Sequence, residues 1–184
     1  MKKISLILTA FMFLGSTSQA VEVKAPSQFV VEVKGIVCSF CAYGAKKNLS
    51  RVDFLDRSKF NKGLLMETEK GAITAAIAPG KKIDIAKIYK AIKKGGYEIL
   101  SIHFNLVGTL KKRDDAVTLT HEYNGQEFTL VDEAGKSWDP KDYLGKEVSV
   151  QAMIPEPGIT KGAFSKAISV QVKSIKESIR SSKP

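Results

Sequence analysis

Cysteine and histidine are scarce in this chain, two of each in 184 residues. So few cysteines rule out a small scaffold held together by many disulfides. A closed structural zinc site within one chain is excluded as well. Such sites take four protein ligands, and His103 and His121 lie far along the sequence from Cys38 and Cys41. Glycine and proline are also few, 14 and 6, which excludes collagen-like and low-complexity chains. Acid is in deficit: 19 Asp and Glu stand against 29 Lys and Arg, a formal net charge of +10. What remains, 43% hydrophobic and 26% charged residues, is the make-up of an ordinary globular protein.

The strongest apolar run is at the start. Met1 to Ala20 reads MKKISLILTAFMFLGSTSQA, with Lys2 and Lys3 ahead of an apolar stretch from Ile4 to Leu14 and small residues at Ser18 and Ala20. That stretch is shorter than the roughly 20 residues a membrane span requires, and its flanks are those of a secretory signal peptide. Residues 1–20 are therefore expected to be a leader, the mature chain to begin near Val21, and the protein to be exported to the periplasm. No cysteine follows the apolar run to carry a lipid, and no later stretch is apolar enough to span. The basic residues are scattered through Lys-rich segments, and export argues against a nucleic-acid partner.

Two blocks follow without a Pro/Gly/Ser-rich linker. In the first, residues 27–104, Phe29, Val31 and Val33 alternate with polar residues in a strand. Ala42, Ala45, Leu49 and Val52 recur at helical spacing. Leu64 to Thr68 and Ala72 to Ala78 flank Glu69-Lys70-Gly71 as a hairpin. Asp84 is placed to cap a second helix carrying Ile85, Ile88 and Ile92, which Gly95-Gly96 stops. Leu100, Ile102 and Phe104 alternate in a last strand. Asp53 to Gly63 is a longer loop or an extra strand. The order strand, helix, strand, strand, helix, strand predicts a ferredoxin-like βαββαβ domain.

The second block, residues 105–179, reads as five strands, with Asn124-Gly125 as a hairpin turn and a short helix after Asp139-Pro140 between the third and fourth. That pattern predicts a small OB-like β-barrel. The fold class expected is thus α+β, a ferredoxin-like domain followed by an OB-like barrel. The nearly continuous strand pattern from Glu98 to Leu110 suggests that one block runs directly into the other and fixes their relation.

Any sulfur chemistry lies at Cys38 and Cys41. The pair sits after a strand and a glycine-containing loop, with Cys41 in the first turn of the following helix. Free N–H groups and the positive end of the helix dipole favour thiolate there. Two thiolates suit a soft ion, Cu(I) or Hg(II), better than oxygen-seeking Mg or Ca. Three readings of the pair stay open: a soft-metal site, a CxxC that exchanges disulfides, and an inert disulfide. A disulfide three residues apart restricts the unfolded chain little, so a stabilising role is weak.

The run Gly35-Ile36-Val37-Cys38-Ser39-Phe40-Cys41 resembles the Gly-Met-x-Cys-x-x-Cys motif of heavy-metal-associated domains. Gly96-Tyr97-Glu98 resembles the Gly-Tyr-Glu that follows the second helix in that family. The resemblance spans Gln28 to Phe104. With an exported leader, it points to the style of periplasmic mercuric-ion-binding and copper-carrying members. It implies Cys38 and Cys41 as metal ligands and Tyr97 near the metal loop. The sequence departs from the family at Ile36, where the family has Met, and in the longer segment after the first helix.

His103 and His121 each read as a lone structural histidine on a strand, Met66 and Met153 as core, and Trp138 as a packing anchor. Phe40 and Tyr43 fit a metal shield and simple packing equally well. No acid/base or nucleophile constellation appears, so no enzyme is expected. The expectation is an exported soft-metal carrier that binds one Cu(I) or Hg(II). It would pass the ion by ligand exchange to a membrane transporter or metal-handling enzyme. A thiol-disulfide redox protein or a protein-binding adaptor is the alternative.

Overall fold

Alternation makes Gln28–Lys34 a strand, β1, whose Phe29, Val31 and Val33 are buried. Cys38 caps α1, Ser39–Leu49, which buries Ala42, Ala45 and Leu49. A loop then leads to the hairpin of β2, Leu64–Glu67, and β3, Ala72–Ala76, joined by a short 3-10 turn that ends at Gly71 with φ of 60°. Asp84 accepts the Lys87 N–H at 3.1 Å and opens α2, Ile85–Lys94, with Ile85, Ile88 and Ile92 inward. Then come β4, Glu98–Arg113; β5, Ala116–His121; β6, Glu127–Val131; β7, Glu147–Pro155; and β8, Ile168–Glu177. The computed structural model describes residues 23–36, 38–156, 159 and 168–178. The expected leader and most of the loop expected over Pro155–Gly162 lie outside the described residues. No helix among them is long and apolar enough to cross a membrane.

The strands form one eight-stranded sheet in the order β2-β3-β1-β4-β5-β6-β8-β7, closed by a further β4–β7 pairing. One edge of β4 pairs with β1 up to Phe104 and with β5 from Gly108 onward, while its other edge pairs with β7 from Ser101 to Thr109. The strands β4-β5-β6-β8-β7 thereby close a five-stranded barrel, with β6 and β8 parallel.

This corrects the expected fold class. The protein is mostly β, 46% strand against 19% helix, rather than an α+β ferredoxin-like domain followed by a small OB-like barrel. The physical reason lies in β4. Ile102, Phe104, Leu106 and Leu110 are all buried in one unbroken alternation. The same strand face therefore stays inward across the boundary drawn between residues 104 and 105. One connected cluster of buried side chains continues through it. The rings of Phe29, Phe104 and Phe128 follow each other at centroid distances of 6.4 and 5.7 Å. Such spacing is in the range of favourable aromatic pairs.

Polar side chains bolt the helical half to the barrel. Gln126 is buried, and its Oε1 accepts the Ile83 N–H at 2.9 Å while its Nε2 donates to the Ile83 carbonyl at 2.8 Å. Tyr123 Oη donates to the Ile77 carbonyl at 2.9 Å, and Asn124 Nδ2 to that of Lys81 at 3.1 Å. Replacing Gln126 by Ala leaves a buried N–H and a buried C=O without partners, each costing about 1–3 kcal/mol. Gln126→Ala is expected to lower unfolding free energy by about 2 kcal/mol or more, read from the urea midpoint.

Smaller expectations are corrected too. Leu100 does not alternate inward with Ile102; a bulge opposite Glu32 and Val33 shifts the register and leaves it 48% exposed. Only a 3-10 turn, Lys141–Tyr143, follows Pro140, and no side chain caps it. Asp53 to Gly63 is a loop with two isolated bridges, Leu55 to Ile77 and Asn61 to Leu64, in which Phe60 and Lys62 adopt positive φ.

Candidate functional site

The cysteine pair occupies the corner where β1 gives way to α1. Gly35 turns the chain there with φ of 97°, a conformation that suits glycine. Ile36, next in the chain, is buried. Cys38 has extended backbone and serves as the N-cap, its Sγ accepting the Cys41 N–H at 3.2 Å. Cys41 lies one turn in, so both sulfurs gather at the helix start. The two Sγ atoms are 2.7 Å apart. Neither cysteine is in a disulfide; Cys38 is exposed and Cys41 partly so.

The electrostatics favour thiolate at Cys38. Its thiol is held below the ordinary value, first by the hydrogen bond from the Cys41 side chain and then by the Cys41 backbone N–H; burial opposes this, and the Phe40 backbone N–H adds the least. These are charge-assisted bonds to an anion at a helix N-terminus, where the dipole adds to them.

Tyr97 reaches the same corner from the far end of α2. Its hydroxyl donates to the Cys41 carbonyl at 2.8 Å. The ring lies against two glycines: a Cβ at Gly95 would come within 2.7 Å of its carbons, and one at Gly44 within 3.0 Å of its oxygen. Side chains at either position would displace the ring, so the first turn of α1 is held through the Cys41 backbone rather than through sulfur. Phe40 and Tyr43 do not pack inward. They stand 85% and 64% exposed beside the sulfurs, with Lys47 exposed further along α1 and Arg51 exposed in the turn after it.

The other singled-out residues disperse. His121 is buried in the seam between β1 and β5. Its Nδ1 accepts the Val107 N–H at 3.1 Å and its Nε2 donates to the Pro26 carbonyl at 2.9 Å. Trp138 and Met66 pack against the core. Met153 does not: it is half-buried on the outward face of β7, and Ala152 and Ile154 point inward.

A polar group that sequence reasoning left apart assembles around His103. Glu32 Oε2 accepts from both Ser101 Oγ and His103 Nε2, the latter at 3.0 Å, while Ser101 Oγ lies 2.8 Å from Nε2. Serine and carboxylate thus meet the same ring nitrogen. A nucleophile triad needs them on opposite nitrogens, so this is not one. The only signal in sequence was the spacing of Ser101 and His103, two apart on one strand face.

No family model, curated protein or solved structure matches this chain.

Proposed function

We propose that this protein is an exported carrier of one soft metal ion, Cu(I) or Hg(II), held between Cys38 and Cys41. The observation that carries the reading is the convergence of the two thiol sulfurs, neither in a disulfide, at the start of α1, with Cys38 exposed and biased toward thiolate. Soft thiolates select such ions. Metal–sulfur bonds of about 2.3 Å require the sulfurs to part to roughly 4 Å. The side chain of Cys38, exposed and outside the helix proper, is free to make most of that movement.

Delivery then proceeds by ligand exchange. An incoming thiolate bonds the ion, one cysteine sulfur leaves, and a second exchange completes transfer, with no change in oxidation state. The recipient is a metal-handling membrane transporter or enzyme. The exposed rings of Phe40 and Tyr43 flank the ion on the side such a partner approaches.

The test is anaerobic titration of the fully reduced chain with Cu(I) against a chromophoric competitor. One equivalent should bind tightly and be lost in the Cys38→Ser/Cys41→Ser double variant. Absence of a tight equivalent in the wild-type chain overturns the reading.

One observation fits the redox alternative as well: the CxxC pair sits at a helix start with Cys38 exposed and held toward thiolate, the setting of an attacking sulfur. In that reading both thiols are oxidised to a disulfide, and two electrons and two protons pass to a partner disulfide, which becomes a dithiol. Full turnover with a disulfide substrate, without metal uptake, would establish it. An adaptor would keep its function in a Cys38→Ala/Cys41→Ala variant.

A further inference from the structure

The face of the sheet turned away from the two helices carries a second set of metal-ligand chemistry. Val30 pairs with His103, and His103 pairs with Met153 on β7. Residues directly opposite in an antiparallel ladder share a face, with Cβ atoms about 4.5–5.5 Å apart. His103 and Met153 therefore stand as cross-strand neighbours on the outer face of adjacent strands, with the ring's Nε2 directed to Glu32 on the β1 side.

The orientation of the His103 ring is set by its neighbour. A carboxylate only accepts, so the 3.0 Å contact to Glu32 Oε2 makes Nε2 the nitrogen that donates. In the neutral ring the lone pair is then on Nδ1, which has no hydrogen-bond partner among the described residues. Among the described residues no buried side-chain nitrogen or oxygen lacks a partner, so Nδ1 keeps some contact with solvent in a side chain that is 13% exposed. This is the arrangement metal-binding histidines adopt: one ring N–H given to a carboxylate that fixes tautomer and orientation, the other nitrogen left to the metal. Ser101 in turn donates to the same Glu32 oxygen and steadies it. Met153 adds a soft sulfur that the core does not use.

We propose that His103 Nδ1 and Met153 Sδ form a second, weaker site for a soft monovalent cation, Cu(I) or Ag(I), with Glu32 as the residue that orients His103. Imidazole and thioether together suit Cu(I), which accepts low coordination and soft donors. The site lies on the opposite face of the sheet from α1 and needs neither cysteine.

Ag(I) added as nitrate in chloride-free buffer to the Cys38→Ser/Cys41→Ser chain, labelled with 13C at its methionine methyls, tests this without the first site. The Met153 methyl resonance is expected to shift and saturate at one equivalent while that of Met66 stays in place. Met153→Leu, a change on the barrel's outer face, and His103→Gln should each abolish saturable Ag(I) uptake. Glu32→Gln should keep the stoichiometry and weaken affinity about 10–100-fold. No saturable shift at Met153, or a shift that survives His103→Gln in a folded variant, overturns the proposal. Failure of the cysteine site would show in the wild-type titration and leave this outcome untouched.

Discussion

Cys38→Ser is expected to remove tight Cu(I) binding while leaving the fold as stable as before. The two effects separate because Cys38 has two jobs. As N-cap it accepts the Cys41 N–H, and serine is among the best N-cap residues, so the hydroxyl takes over that bond. As ligand it supplies a thiolate, and a hydroxyl is neither soft nor ionised at neutral pH. Affinity should fall at least about a thousandfold, or about 4 kcal/mol, with the urea midpoint unchanged. Cys38→Ala should lose both metal and cap, costing about 1 kcal/mol of stability. Affinity within tenfold of wild type in Cys38→Ser would contradict the assignment. The pH dependence has a definite sign. The depressed Cys38 value means thiolate persists below the usual thiol range near 8.5, and metal affinity falls only as acidification passes that lowered value. Because the Cys41 side chain is the largest cause of the shift, Cys41→Ala, which removes that donor, should move the pH midpoint of Cys38 alkylation by iodoacetamide upward.

Gly108→Ala is expected to be the most damaging single methyl in the chain. Gly108 is the first residue of β4 to pair with β5, opposite His121. A Cβ there would lie 2.1 Å from the Thr120 carbonyl oxygen and 3.2 Å from Leu119 Cδ2. The first obstacle is backbone and cannot rotate aside, so the two strands must separate at the seam where the barrel begins. Glycine at such a close approach of backbones is a recurring solution at tight barrel bends. Overpacking of this kind costs about 1–3 kcal/mol, and more where backbone must move; the upper end or beyond is expected. Equilibrium urea unfolding reads it, and a change within about 0.5 kcal/mol, the range of neutral surface substitutions, would contradict this description of the seam.

Local chemistry made much of the architecture legible. Alternation at Phe29, Val31 and Val33, the Asp84 cap and the turn around Asn124-Gly125 each act within a few residues, so sequence alone located the elements they shape. The joining of those elements was less visible. The strand pattern from Glu98 to Leu110 is continuous in sequence and β4, Glu98–Arg113, is one strand, but nothing local to Phe104 or Asn105 says that it takes β1 as its partner up to Phe104 and β5 from Gly108. The bulge that turns Leu100 outward depends on the register of β1, another long-range fact. Gln126 and Asn124 looked like ordinary turn residues, and only the fold shows them clamping Ile83 and Lys81. The cysteine corner was legible because strand, glycine, CxxC and helix are contiguous. Glu32, Ser101, His103 and Met153 come from three strands, and their meeting is set by register alone.

X-ray absorption at the copper edge, on reduced protein carrying one equivalent of Cu(I), tests the central claim most directly. A shell of two sulfur neighbours, replaced in the Cys38→Ser/Cys41→Ser variant by one with at most a single sulfur, is the result expected. A first shell of nitrogen and oxygen, or a sulfur shell unchanged by that substitution, would contradict it.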